Sequence, residues 1–408
     1  MNLYYLQHVL KVDFLNLWCY TRENTLIKVQ REIMNKKQIT NIEVKRNNRN
    51  RIFRYILGHG TVSNPDISYD TKMSLPTVTQ ITKELIEKGL VKETGELQST
   101  GGRRAKALSV EADVKRAVGI DITKNHISMV LVNLAGEILK YERIFKPYTS
   151  EDNYYCELDK KLGSFLEESD TNIEKVLGIG ISFPGIIDLN GEMITDSHIL
   201  GVKSLPFTSV SRFFSLPCYF MNDANAGAYA EGIHLEGLGR FFYLSLSNTV
   251  GGAVFSNGRL EQGKDFRCGE VGHMTIVPDG ESCYCGKKGC LDAYCSAKHL
   301  SDIADGKLEN FFAKLGQGDK EFASIWDMYT TYLAIAINNI HMVLDCDIIL
   351  GGYVGSYIET YIQDICDKVS ERNTFADGNS FVKACNYKVG AAALGASLQV
   401  IETFIEQI

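Results

Sequence analysis

The stretch GEVGHMTIVPDGESCYCGKKGCLD, Gly269–Asp292, carries the densest chemistry in the chain. Cys283, Cys285 and Cys290 stand in the spacing C-x-C-x4-C, downstream of His273. Three thiolates and one imidazole complete a tetrahedral zinc set and leave no open position for catalysis. The pattern therefore predicts a structural Zn2+ held by His273, Cys283, Cys285 and Cys290. Gly286 and Gly289 allow the backbone to fold tightly around an ion. The competing reading is a group of buried thiols beside an ordinary histidine. The remaining cysteines show no ligand spacing and read as packing residues.

Upstream, Asn222-Asp223-Ala224-Asn225-Ala226 follows a short strand, Cys218–Met221, and opens a small-residue helix. Amides and a carboxylate at a strand end suit sugar hydroxyls, and Asp223 is a candidate general base. The alternative is that Asn222 or Asp223 only caps the helix. Apolar runs at Ala117–Asp121, Ile127–Asn133, Val176–Ile181, Phe241–Leu246 and Ala253–Ser256 read as strands. Helical patterns cover Tyr154–Glu168, Ala224–Glu231 and Ile325–Leu344. Strands alternating with helices predict an α/β body from about residue 111 onward.

At 408 residues the chain has room for two to four folding units. No run approaches eighteen uninterrupted apolar residues, so no membrane-spanning helix is expected. The opening MNLYYLQHVLKVDFLNLWCY lacks a basic start and reads against a secretory signal. That favours the cytoplasm, where cysteines stay thiols or bind metal. Charge is unevenly distributed. Residues 34–110 carry 14 Lys and Arg against 7 Asp and Glu, whereas residues 111–408 carry 25 against 40. A basic block on an acidic body points to a nucleic-acid-binding head.

Residues 50–110 fit such a head. Ile52, Phe53, Ile56 and Leu57 form a helical stripe ended by Gly58 and Gly60. Asn64-Pro65-Asp66 starts a second helix, which runs to about Thr71. Ser74 caps a third helix through Lys88, with Val78, Ile81, Leu85 and Ile86 on its apolar side. Two strand-like runs, Leu90–Glu93 and Ala105–Val110, complete a winged helix-turn-helix. Ser74, Thr77, Thr79, Gln80 and Lys83 are the expected contacts to base edges and phosphates in a major groove. Arg103 and Arg104 sit at the wing tip, suited to a narrow minor groove. A protein-docking helical domain is the alternative. The domain plan is an N-terminal extension over 1–45, the winged head over 46–110 and a two-lobed body over 111–408.

Taken together, G-E-x-G-H at Gly269–His273, C-x-C-G-x-x-G-C followed by Leu291-Asp292, and N-D-A-N at Asn222–Asn225 resemble the ROK family of sugar kinases and sugar-responsive repressors. Ser182-Phe183-Pro184-Gly185 and Ile348-Ile349-Leu350-Gly351-Gly352 are similar to further motifs of that family. The resemblance spans about residues 112–408, and the winged head matches its repressor branch. It implies an actin-like, ribonuclease-H-like pair of α/β lobes with a sugar cleft between them. Carried over by motif, the sugar contacts fall on Asn222, Asp223, Glu270, His273 and Asp292, with glutamate the family's usual residue at the last position. His273 would face zinc with one ring nitrogen and sugar with the other.

Kinases of the family bind ATP phosphates with D-x-G-G-T and G-T-G-x-G-G turns. Here the matching segments read Asp121-Ile122-Thr123-Lys124-Asn125-His126 and Ser247-Asn248-Thr249-Val250-Gly251-Gly252. The lost glycines remove the bare backbone that phosphate oxygens need. The expectation is a sugar-responsive transcriptional repressor without kinase activity, acting on operator DNA as a homodimer or dimer of dimers. An active sugar kinase with a DNA-binding head is one alternative, and a scaffold docking a transport or signalling protein is another.

Overall fold

The computed structural model describes residues 41–97, 105–233, 239–375 and 380–408. Arg103 and Arg104 of the expected wing tip lie outside the described residues, as does most of the expected N-terminal extension.

The head is built from α1 (Asn41–His59), α2 (Asn64–Thr71), α3 (Leu75–Glu87) and the antiparallel wing β1 (Val91–Glu96) and β2 (Lys106–Val110). Helix α1 begins at Asn41 rather than Asn50. Its first turns are polar and carry no apolar stripe, so periodicity is silent there. They gain a partner in α3, where Glu84 receives Lys45 at 2.7 Å and Arg49 at 3.4 Å. Helix α2 opens on a capping box: Ser63 Oγ accepts the Asp66 N–H, and the Asp66 carboxylate accepts the Ser63 N–H. Ser74 caps α3, and Val78, Ile81, Thr82 and Leu85 are buried. Val62 exchanges backbone hydrogen bonds with Leu108, tying the α1–α2 turn to the wing.

The body follows as β3 (Arg116–Ile122), β4 (His126–Asn133), β5 (Ile138–Phe145), α4 (Asp152–Glu167), β6 (Val176–Phe183), β7 (Ile186–Asp188), β8 (Met193–Ser197), β9 (Val202–Pro206) and β10 (Cys218–Asn222). The second half holds α5 (Asp223–Ile233), β11 (Arg240–Leu246), β12 (Val250–Ser256), β13 (Arg259–Leu260), α6 (Leu308–Gly316), α7 (Lys320–Leu344), β14 (Asp347–Gly351), α8 (Gly352–Ser370), β15 (Val382–Ala384) and α9 (Ala391–Gln407). The first large sheet has the order β10-β6-β3-β4-β5 and the second β13-β12-β11-β14-β15. Each joins a three-stranded antiparallel meander to two further strands parallel to its first strand. The two lobes thus share one plan, and β7-β8-β9 adds a small sheet to the first.

Helix α9 runs between the lobes. A Cβ on Gly119 or Gly180 would lie 1.8 or 1.9 Å from the Ala393 or Ala396 carbonyl oxygen, so only glycine admits the helix this close to the sheet. On its other side, a Cβ on Gly395 would lie 1.7 Å from the Ala226 carbonyl oxygen in α5. The same helix holds the head. Arg49 Nε donates to the Ile408 carbonyl at 2.7 Å, Asn50 Nδ2 donates to the Glu406 carbonyl at 3.1 Å, and Arg54 pairs with both oxygens of Glu402. The apolar residues of the head and of α9 belong to one continuous core. Among the described residues no helix is long and apolar enough to cross a membrane.

Candidate functional site

The cysteine loop closes on itself. The Cys283 N–H donates to the Lys287 carbonyl at 2.8 Å, and the Gly286 N–H returns to the Cys283 carbonyl at 3.0 Å. Gly289 has a φ of +76° and its missing Cβ would sit 1.7 Å from the Val277 carbonyl oxygen, so the turn requires glycine. The loop brings His273, Cys283, Cys285 and Cys290 together, with their ligand atoms all within 4.8 Å of one another. Cys285 Sγ and Cys290 Sγ are 3.8 Å apart, as are His273 Nδ1 and Cys283 Sγ. Zinc–sulfur bonds of about 2.3 Å in a tetrahedron imply sulfur–sulfur edges of about 3.8 Å, whereas a disulfide is about 2.05 Å. The donor set and its spacing fit a tetrahedral metal ion, and the sequence-predicted ligands are the four residues assembled.

Asn222 ends β10 and Asp223 opens α5. Asn222 Nδ2 donates to the Gly185 carbonyl at 2.7 Å, while its Oδ1 accepts the Asn225 N–H at 3.0 Å. Asn222 therefore caps the helix and ties it to the Ser182–Gly185 turn. Asp223 is half-buried, and burial pushes its carboxyl pKa up to about 6, with the Glu270 carboxylate adding to the rise. Asp292 is buried and its Oδ2 accepts the Val250 N–H at 2.6 Å, so one of its oxygens holds a backbone turn. Its carboxyl lies within electrostatic reach of His273. Among the five expected sugar contacts the structure thus gives two electrostatic pairs, Asp223 with Glu270 and Asp292 with His273, and places Asn222 next to Asp223 at the start of α5.

Asp121 is a neighbour that the sequence reading placed only in a lost phosphate turn. It accepts a hydrogen bond from Ser182 Oγ at 2.9 Å, and burial raises its pKa to about 7. Around it the first turn is bonded at its two ends. The Thr123 N–H donates to the His126 carbonyl at 2.9 Å, and the His126 N–H donates to Thr123 Oγ1 at 3.1 Å. In the second turn the Ser247 N–H donates to the Thr249 carbonyl at 3.2 Å, and the Val250 N–H is taken by Asp292.

On the head, Thr79, Gln80 and Lys83 are exposed on one side of α3, with Ser74 and Thr77 at its start. Gln80 Nε2 donates to Glu84 Oε1 at 3.3 Å. The residues that sequence reading missed are Arg49, Arg54 and Glu402. No local signal marks them, because each partner lies hundreds of residues away along the chain.

A family model described as the ROK family matches residues 117–403, and one described as winged helix-turn-helix DNA-binding matches residues 45–92. The xylose repressor of Bacillus subtilis is 28% identical over 384 residues, covering 90% of this chain and 97% of the relative. The DNA-binding transcriptional dual regulator NagC of Escherichia coli is 28% identical over 261 residues, covering 62% of this chain and 64% of NagC. Among solved structures, a ROK family transcriptional regulator described as a homologue of the E. coli MLC protein superposes with a TM-score of 0.73 at 22% identity, covering 89% of this chain and 97% of that one. A ROK hexokinase from Thermus thermophilus gives 0.58 at 24% identity, covering 72% and 100%. Both structural likenesses establish the two-lobed fold.

Proposed function

The chain belongs to the ROK family and is a transcriptional regulator with a winged helix-turn-helix head, and from that premise we propose that it is a sugar-responsive repressor without kinase activity. The observation that carries this reading is the junction of α9 with the head. One helix touches Arg49, Asn50 and Arg54 of the head and packs by backbone contact on α5, which opens at Asp223 and is capped by Asn222. A ligand that moves the lobes about α5 therefore acts on the helix that holds the head. It changes DNA affinity only by binding one lobe arrangement better than the other.

In this reading Asn222, Asp223, Glu270, His273 and Asp292 contact the sugar. Asp223 accepts from a hydroxyl rather than activating it for phosphoryl transfer. The side chains that replace glycine at Ile122–Asn125 and Ser247–Thr249 support this, and the N–H groups of Thr123, His126, Ser247 and Val250 are engaged within the protein. Zinc, bound by His273, Cys283, Cys285 and Cys290, would fix the loop and the plane of the imidazole. Cys285→Ser should remove the metal, measured as zinc per chain, and lower the melting temperature.

Ser74, Thr77, Thr79, Gln80 and Lys83 read the major groove, and Arg103 and Arg104 supply the wing. Two heads in a homodimer match an inverted repeat. The test is binding to DNA from the gene's own upstream region across a salt series. The logarithm of affinity should fall with that of salt by about 0.9 per phosphate neutralised, and Arg103→Ala should lower the slope by about one. Affinity for that DNA that does not respond to salt would refute the reading.

A further inference from the structure

Tyr284 stands between Cys283 and Cys285, and its side chain contacts two histidines. Its hydroxyl lies 3.3 Å from His273 Nε2, and the two rings meet edge-on at 5.2 Å and 72°. The same ring stacks on His198, with centroids 4.3 Å apart and planes 12° from parallel. His198 directly follows β8 in the small sheet of the first lobe, whereas Tyr284 belongs to the second. From His198 the contacts continue within the first lobe. Asn222 donates to the Gly185 carbonyl, and Gly185 rests against the Asp196–Ser197 backbone so closely that a Cβ there would lie 2.2 Å from the Asp196 carbonyl oxygen. The next residue is His198. A chain of contacts therefore runs from Asn222 through Gly185, Ser197, His198 and Tyr284 to His273, crossing once from the first lobe to the second.

We propose that Tyr284 is a latch on the sugar cleft, holding by hydroxyl and ring the position that a sugar must take. This rests on the sugar reading of His273. His273 Nδ1 points into the cysteine cluster, 3.8 Å from Cys283 Sγ, so Nε2 is the ring nitrogen left for a ligand. That nitrogen has one in-plane hydrogen-bonding position. The phenol and a sugar hydroxyl cannot occupy it together. In the ligand-free protein the phenol satisfies Nε2, and the His198 stack links the lobes. A sugar that enters the cleft displaces the phenol from Nε2. The freed ring, 41% exposed and polar at its tip, is then placed to cover the C–H face of the bound sugar. Tyr284 and His198 thereby select for sugars with a hydroxyl directed at His273 and a flat apolar face toward the ring.

The experiment measures D-xylose and N-acetylglucosamine binding by titration calorimetry to full-length wild type, Tyr284→Phe and His198→Ala. Zinc content and melting temperature are measured for each protein. Tyr284→Phe keeps the ring and removes the competitor, so the sugar that wild type binds should bind about three- to tenfold tighter, the weight of one net hydrogen bond. His198→Ala loosens the latch from the other lobe and should also tighten binding, by about two- to threefold. His198 lies outside the cysteine loop, so this variant covers the case of a misfolded Tyr284→Phe. Unchanged or weaker sugar binding in both variants, with zinc retained, would overturn the latch and leave the sugar reading standing. Binding of neither sugar by zinc-loaded wild type would overturn the sugar reading and the latch with it.

Discussion

Asp121 and Asp223 show how much of the site is decided by single carboxyl groups. Asp121 has a folded-state pKa raised to about 7, mainly by burial, against an ordinary aspartate value near 3.8. A raised carboxylate pKa means that the folded protein prefers the protonated form. Its contribution to stability is full below about pH 4 and is lost as pH climbs through 7. Asp121→Asn imitates the protonated group and keeps an acceptor for Ser182. It should raise unfolding stability at about pH 8 by about 1–3 kcal/mol and flatten the profile between about pH 4 and 7. Thermal melts across that range check both effects. Such a group was invisible in the sequence, because Asp121-Ile122-Thr123 reports neither the enclosure of the carboxyl nor the arrival of Ser182 from β6. The metal-type cluster was legible for the opposite reason. Three of its four residues lie within eight positions, and their spacing constrains the loop directly.

Legibility of the secondary structure follows the periodicity of each element. Helix α3 was readable because Val78, Ile81 and Leu85 face one core while the other side meets solvent. Helix α9 escaped notice because Ala393–Leu398 is buried without interruption, so no polar face marks its period. Strand β5 escaped for another reason: it lies at the edge of its sheet, and short alternation among lysine and glutamate is a weak signal. The importance of α9 is nonetheless testable through one atom. Gly395→Ala places a methyl 1.7 Å from the Ala226 carbonyl, against backbone that has no rotamer to yield. The substitution should lower stability by about 1–3 kcal/mol or more through overpacking, despite the better helix propensity of alanine. A urea unfolding midpoint equal to wild type would show that α5 and α9 are not packed this closely.

At the scale of the molecule, the two large sheets repeat one strand order, a duplication that no short-period pattern in the sequence revealed. Strand order is conserved by packing geometry, and many different apolar sequences satisfy it. The pairing of head to body was equally hidden, since Arg54 and Glu402 meet only after the chain has folded around both lobes. This arrangement predicts that ligand and DNA affinities are linked through α5 and α9, by a coupling free energy of about 1–3 kcal/mol. The direct measurement is the DNA dissociation constant of full-length protein at fixed salt, with and without saturating D-xylose or N-acetylglucosamine, in wild type and Asp223→Ala. For wild type we expect one sugar to change that constant by about 5- to 150-fold, while Asp223→Ala keeps the basal constant and loses the change. A wild-type constant indifferent to a sugar that calorimetry shows to be bound, or sugar-dependent ATP turnover abolished by Asp223→Ala, would contradict it.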